Sequence, residues 1–190
     1  PVVERAVNIV VPVGRGTDWL WRGYDRKVRR RVRTAERAGL EVEVDRDGRR
    51  LEAFMEVYAS TMERVGAAAW YRFQPAFFRS IVEGLAGQFV FVHALSRGRI
   101  VSSDLALCSE ERVYAFLSGT LEDSLALGAN YLVKHALAAW AADEGKRECV
   151  LGGGIQPGDG IYRFKRSFAH RGQVAFRVGC FVHDEAAYRE

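Results

Sequence analysis

Apolar residues fall along this chain in two rhythms, one of period two and one close to 3.6. Residues 7–13, Val-Asn-Ile-Val-Val-Pro-Val, are dense in β-branched side chains and predict a strand. Thr17 then offers an N-cap, and Leu20, Tyr24, Val28, Val32 and Ala35 recur at helical spacing until Gly39, which predicts one helix over 17–39. Residues 41–45 alternate as a short strand. Asp47-Gly48 turns into a helix over 51–65 that carries Phe54, Val57, Tyr58 and Met62 on one face. After a break at 66–69 and the aromatic run Trp70-Tyr71-Arg72-Phe73, Pro75 fits the first turn of a helix reaching about residue 85. Three strands follow at 88–95, 99–107 and 112–119. Their links, Arg97-Gly98 and Ser109-Glu110-Glu111, are short enough to force an antiparallel meander. A helix over 130–144 stopped by Gly145, a short buried strand at 149–151, a short helix at 161–168 and a last strand at 173–182 complete the order.

This succession predicts an α/β (α+β) fold with a mixed, mostly antiparallel sheet flanked by helices. At 190 residues and 48% hydrophobic the chain can bury one good core, so a single domain over 1–190 is expected. No apolar run reaches the length of a membrane span, and no charged-then-apolar leader opens the sequence. Cys108, Cys149 and Cys180 lie far apart among apolar neighbours without metal-ligand spacing, which predicts reduced core thiols, no metal site and a cytoplasmic location. The first residue is Pro1 rather than Met, from which an upstream part of the protein is expected.

Charge changes the picture only through its distribution. Net charge is +4, yet from Leu20 to Gly39 eight basic side chains oppose two acidic ones, giving that segment +6 and leaving the remainder slightly acidic. Arg29, Arg30 and Arg33 cluster within it. They read either as a phosphate-binding surface or as a solvated face.

The candidate chemistry lies near the C-terminus. Leu151-Gly152-Gly153-Gly154 offers a backbone free to take positive φ, and the next element, Ile161-Tyr162-Arg163-Phe164-Lys165-Arg166-Ser167-Phe168, carries an aromatic-flanked lysine. Together they suit an anionic or developing oxyanion group, which makes a transferase the leading reading. A tight strand-to-helix connection, with Lys165 on the surface between two core aromatics, is the bland alternative. Nucleotide motifs fail: Asp159 stands where a phosphate-binding loop needs lysine, and Pro157 where the dinucleotide pattern needs its third glycine. His93, His135, His170 and His183 are isolated from one another, and structural roles are expected for all four. Trp70, Tyr71 and Phe73 could stack a base, although such a run beside a helix start is more often core.

The order of elements is that of the GNAT acyltransferase fold, and the sequence resembles the second GNAT-like domain of the FemAB family, the peptidyltransferases that add amino acids to peptidoglycan precursors from aminoacyl-tRNA. The residues that carry the resemblance are 27–39 (Lys-Val-Arg-Arg-Arg-Val-Arg-Thr-Ala-Glu-Arg-Ala-Gly), Thr61-Met62-Glu63-Arg64, Gly128-Ala129-Asn130-Tyr131-Leu132, and LGGG with Phe164-Lys165-Arg166-Ser167-Phe168. It implies that Lys165 and Phe164 stand at the acceptor or transition-state site. It implies further that Arg29, Arg30, Arg33, Thr61, Arg64, Gly152, Gly153, Gly154 and Tyr162 contact substrate, and that Gly128, Ala129 and Asn130 contact the donor at a helix N-terminus. The implied partners are aminoacyl-tRNA as donor substrate, with no separate cofactor, and a nucleotide- or lipid-linked peptidoglycan precursor at the inner membrane surface. FemAB enzymes carry two tandem domains, so a further GNAT-like domain upstream is implied as well. The alternatives are an N-acyltransferase using a coenzyme A thioester, for cell-envelope or exopolysaccharide synthesis, and a non-catalytic domain that binds tRNA or precursor. Against coenzyme A, the usual pattern wants a basic or amide side chain at position 125, where this chain has Leu125.

Overall fold

The β-branched N-terminal run forms a longer strand than the sequence predicts, β1 (Val2–Pro12), because it pairs on both sides, with a neighbour from each end of the C-terminal region. The computed structural model describes residues 2–188. The expected helix over 17–39 is instead two, α1 (Thr17–Gly23) and α2 (Arg26–Arg37), and the cap of α1 is Gly16 rather than Thr17. The break falls at Tyr24, whose backbone turns extended and drops its ring edge-on between Phe168 and His135. The Asp25 amide then bonds the Ser167 carbonyl at 3.0 Å instead of continuing the helix.

Next come β2 (Glu41–Asp45), α3 (Leu51–Arg64), α4 (Pro75–Gly84) and the meander β3 (Phe89–Ser96), β4 (Arg99–Cys108) and β5 (Arg112–Thr120). A short turn of helix, α5 (Glu122–Leu125), leads into α6 (Ala129–Asp143) and β6 (Glu148–Gly152). The chain closes with α7 (Gly160–Arg166), β7 (Gln173–Gly179) and α8 (Glu185–Tyr188). The strands form a seven-stranded sheet in the order β2-β3-β4-β5-β6-β1-β7, antiparallel throughout except where β5 meets β6.

Alternation along the strands splits the core in two. Val90, Val92, Ala94, Ala106 and Val113 point toward α1, α2 and α6, while Phe89, Phe91, Leu105 and Leu117 point toward the aromatic layer of α3 and α4 around Phe54, Tyr58 and Phe78. Of the thiols, Cys149 is buried and Cys108 half-buried, but Cys180 is exposed beyond the end of β7, against the expectation of three core thiols. Burial raises the Cys149 thiol to about 12. His93 is fully buried and bonded to the Ser103 hydroxyl at 2.8 Å, with Asp45 at 3.9 Å; lacking any access to solvent, it has the structural role expected of it. Trp70 departs from its expected core position and is 74% exposed.

Candidate active site

Parallel strands pair only as long as their hydrogen-bonding edges stay in register. Between β5 and β6 that lasts for three residue pairs, Arg112 with Glu148, Val113 with Cys149 and Tyr114 with Val150. Just beyond, β5 carries one extra residue, since Leu105 faces Leu117 while Ala106 faces Ala115, and Phe116 is left without a partner on β4. A bulge bends its strand and ends pairing. From there β5 runs to Thr120 while β6 stops at Gly152, and a wedge opens between them beneath α6.

The glycine segment forms the β6 wall of this wedge, and each glycine has a steric reason. Gly152 adopts φ +75, and a methyl group there would sit 3.3 Å from the Lys165 ammonium. A methyl group at Gly153 would lie 2.5 Å from the Val7 carbonyl oxygen on β1, and one at Gly154 would collide with the Asp159 carboxylate. That carboxylate caps α7, accepting bonds from the amides of Ile155 at 2.7 Å, Gln156 at 3.0 Å and Tyr162 at 2.7 Å. It fills the loop as a bound anion would, and those bonds lower its pKa.

Capped this way, α7 sends Lys165 back toward the strand end. Its ammonium donates to the Gly153 carbonyl at 2.7 Å, leaving further N–H donors for another acceptor. Burial, reinforced by Lys134, lowers the Lys165 pKa to about 8. Phe164 packs edge-on against Tyr131 of α6 at 4.8 Å and against Phe168 at 5.4 Å, so the ring wall beside the lysine is fixed from two elements. The sequence therefore locates Lys165, Phe164, Gly152 and Gly153 in one place, and the structure brings them together.

Other candidates lie elsewhere. Gly154 and Tyr162 line a separate cavity of about 260 Å³ with Arg5 and Val7, and the Tyr162 hydroxyl bonds Gln173 of β7. Thr61 and Arg64 bond the Thr120 backbone: the Thr61 hydroxyl accepts from its amide at 2.8 Å and donates to its carbonyl at 3.1 Å, while Arg64 donates to the same carbonyl at 3.3 Å. Both side chains thus anchor α3 to the end of β5. Arg29 is drawn inward, its guanidinium capping the end of α1 through the carbonyls of Trp21, Arg22 and Tyr24. Arg33 lies over the Trp21 ring at 5.3 Å but is exposed, as is Arg30. With Arg26 and Arg37 these two arginines form a stripe at helical spacing on the outward side of α2. Gly128 and Ala129 are buried. Gly128, at φ +85, lies so close to α2 that a methyl group would sit 2.6 Å from the Arg31 carbonyl oxygen. Asn130 follows with a buried side-chain oxygen that has no hydrogen-bond partner.

Sequence reasoning misses Asp104, Lys134 and Ser118. The Lys134 ammonium of α6 meets the Asp104 carboxylate of β4 at 2.6 Å, with side-chain exposures of 5% and 4%, and reaches the Ser118 hydroxyl of β5 at 3.4 Å. For Lys134 a signal was present, since it sits within the stripe Tyr131, Ala138 and Ala141, a charge where the pattern demands an apolar side chain; Asp104 follows Ser102 and Ser103 and carries no such mark.

Comparison with known proteins agrees with this geometry. The chain matches the family model of the acetyltransferase (GNAT) domain over residues 22–166. No curated protein matches it. Among solved structures it is similar to FemX, with a TM-score of 0.75 and 15% identity, covering 91% of this chain and 60% of that one. It is also similar to a C-terminal domain assigned to a lysylphosphatidylglycerol synthetase from Agrobacterium fabrum, with a TM-score of 0.67 and 12% identity over 93% of this chain and 60% of that one. An aminoglycoside acetyltransferase from an uncultured soil metagenomic sample, in complex with sisomicin, gives a TM-score of 0.54 at 14% identity, over 68% of this chain and 86% of that one. At such identities the likeness is one of fold, and it is the FemAB-like fold that the sequence resembles. The chain spans about 60% of the length of the first two structures. Among the described residues no helix is long and apolar enough to cross a membrane. On the family match, with which the splayed strand pair is consistent, the chain belongs to the acetyltransferase (GNAT) domain family.

Proposed function

We propose that this domain transfers an aminoacyl group from the ester of an aminoacyl-tRNA to an amine of a cell-wall or lipid-linked precursor, with the ester carbonyl held in the wedge between β5 and β6. The observation that carries the reading is Lys165, fixed at the wedge by the Gly153 carbonyl and walled by Phe164. The acceptor amine attacks the ester carbonyl and a C–N bond forms. The oxyanion of the tetrahedral intermediate then lies against the Lys165 ammonium. The C–O bond to the tRNA ribose breaks, and one amine proton ends on the departing hydroxyl. Likeness in fold to FemX and to a structure named for lysylphosphatidylglycerol supports an aminoacyl donor.

The second reading, an N-acyltransferase using a coenzyme A thioester, has the family model and the aminoglycoside acetyltransferase fold in its favour. It requires a pyrophosphate seat at the start of α6. There Gly128 and Ala129 are buried, the Arg31 carbonyl approaches, and the amides of Tyr131 and Leu132 already bond the Gly128 carbonyl at 3.0 and 3.1 Å. Pyrophosphate finds little there. A tRNA backbone would instead be met by the exposed arginine stripe on the outward side of α2, the helix that packs on α6. In this reading the domain is the C-terminal half of a two-domain enzyme that works in the cytoplasm at the inner membrane surface. Calorimetry on the full-length protein tests the donor. An aminoacylated tRNA-end mimic should bind measurably, and coenzyme A no better than about the millimolar range. Micromolar coenzyme A binding with no response to the mimic overturns the proposal in favour of the second reading.

A further inference from the structure

A buried ion pair is a poor stabilising device, because the loss of hydration of two charges offsets their attraction, and an apolar pair of similar volume would hold β4 to α6 as well. Asp104 and Lys134 are nonetheless in contact beneath α6, in a layer that is otherwise aliphatic and aromatic apart from neutral hydroxyls such as those of Ser102 and Thr120. Their placement is polar in a second sense. Asp104 sits on β4, away from the wedge, while the Lys134 ammonium reaches Ser118, an exposed residue on the diverging part of β5. The ammonium end of the pair therefore lies toward the end of β5 that has parted from β6.

We propose that the Asp104–Lys134 pair is a positioning element of the reaction centre, holding the Lys134 ammonium beside the diverging end of β5 so that it acts on the oxyanion through Lys165. The proposal rests on the acyl-transfer reading of Lys165 given above. Lys134 touches no reacting atom in this account; it acts through Lys165. The charged groups that act on Lys165 are Lys134 of α6, Asp104 of β4 and the α7 cap Asp159, with Lys134 lowering its pKa and the two carboxylates raising it. Cys149 of β6 lies near the pair and, raised to about 12, stays neutral.

The two ends of the pair pull in opposite directions, and this gives the experiment its sign. In protein labelled at the lysine side chains, an NMR titration of Lys165 should give a midpoint near 8 in the wild type. Lys134→Met should move it upward and Asp104→Asn downward. The alkaline limb of turnover should follow each shift, because the ammonium form of Lys165 is the active one. Where either single variant fails to fold, the apolar double variant Asp104→Leu with Lys134→Leu restores packing. It should melt near the wild-type temperature, titrate Lys165 upward and turn over about tenfold more slowly, the usual effect of removing an indirect supporter. A double variant with wild-type turnover and an unmoved Lys165 midpoint overturns the proposal, as do single variants that shift the midpoint in the same direction. The titration needs no substrate. If the midpoints move as stated while neither donor is turned over, the acyl-transfer reading fails and the electrostatic role of the pair stands.

Discussion

Lys165 is held at the wedge with its pKa lowered to about 8 by burial and by Lys134, and that combination predicts how it behaves when changed. Lys165→Met should lower turnover by about two orders of magnitude, the usual loss for one oxyanion donor, while the melting temperature holds or rises. The sign for stability follows from linkage. The folded state binds this proton less tightly than the unfolded chain does, so the wild type is penalised below pH 8 and relieved as pH climbs from about 8 toward the ordinary lysine range. Wild-type turnover in the variant, measured in single-turnover mode beside a melting curve, would remove Lys165 from the mechanism. Asp159 titrates the other way. Its pKa is lowered by the amides it caps, so its contribution is complete above the ordinary carboxylate range and disappears as pH falls through the folded value. Asp159→Ala should cost about 1 kcal/mol at neutral pH, the usual worth of a cap, and less in acid below the folded value, as read by denaturant titration. Equal loss in both conditions would mean that the carboxylate charge is immaterial to the loop.

At the scale of the element, α2 shows where a sequence pattern stops being informative. Helical spacing locates its buried face correctly in Val28, Val32 and Ala35, yet it ran straight through Tyr24, because spacing counts apolar positions and not the direction in which a ring must point to reach Phe168. The same blindness grouped Arg29 with Arg30 and Arg33. In the fold, Arg29 is spent on the end of α1 while the other two face solvent with Arg26 and Arg37. Salt titration of RNA-end binding should separate these roles. Arg30→Gln with Arg33→Gln should flatten the slope by about one to two units. Arg29→Gln should leave the slope alone and cost about 1 kcal/mol in stability through the lost helix-end contacts. An unchanged slope in the double variant would make the stripe a solvated face. In the glycine segment, Gly153→Ala should destabilise by about 1–3 kcal/mol, since the new methyl group meets the Val7 carbonyl at 2.5 Å and β1 cannot yield without disturbing two strand ladders. A melting curve matching the wild type would show that β1 does yield.

Across the whole molecule, the order of strands and helices was legible because each element carries its own period, and the meander was legible because its links are too short for any other path. The candidate site was legible only in part. Lys165, Phe164 and the glycines are neighbours in sequence, whereas Asp104 and Lys134 are 30 positions apart and meet only because α6 crosses β4. Local pattern marks Lys134 as out of place, leaves Asp104 unmarked behind Ser102 and Ser103, and says nothing of the partner. The sheet carries one more consequence. Its two halves, β2-β3-β4-β5 and β6-β1-β7, are joined edge to edge by three residue pairs, against eight between β3 and β4. Native-state hydrogen exchange should therefore resolve two cooperative units, with amides of β6, β1 and β7 exchanging through a sub-global opening and those of β3 and β4 only through complete unfolding. Uniform exchange across all seven strands would argue against such a seam. If the seam is there, the line along which the molecule yields is also the line along which the proposed substrate enters.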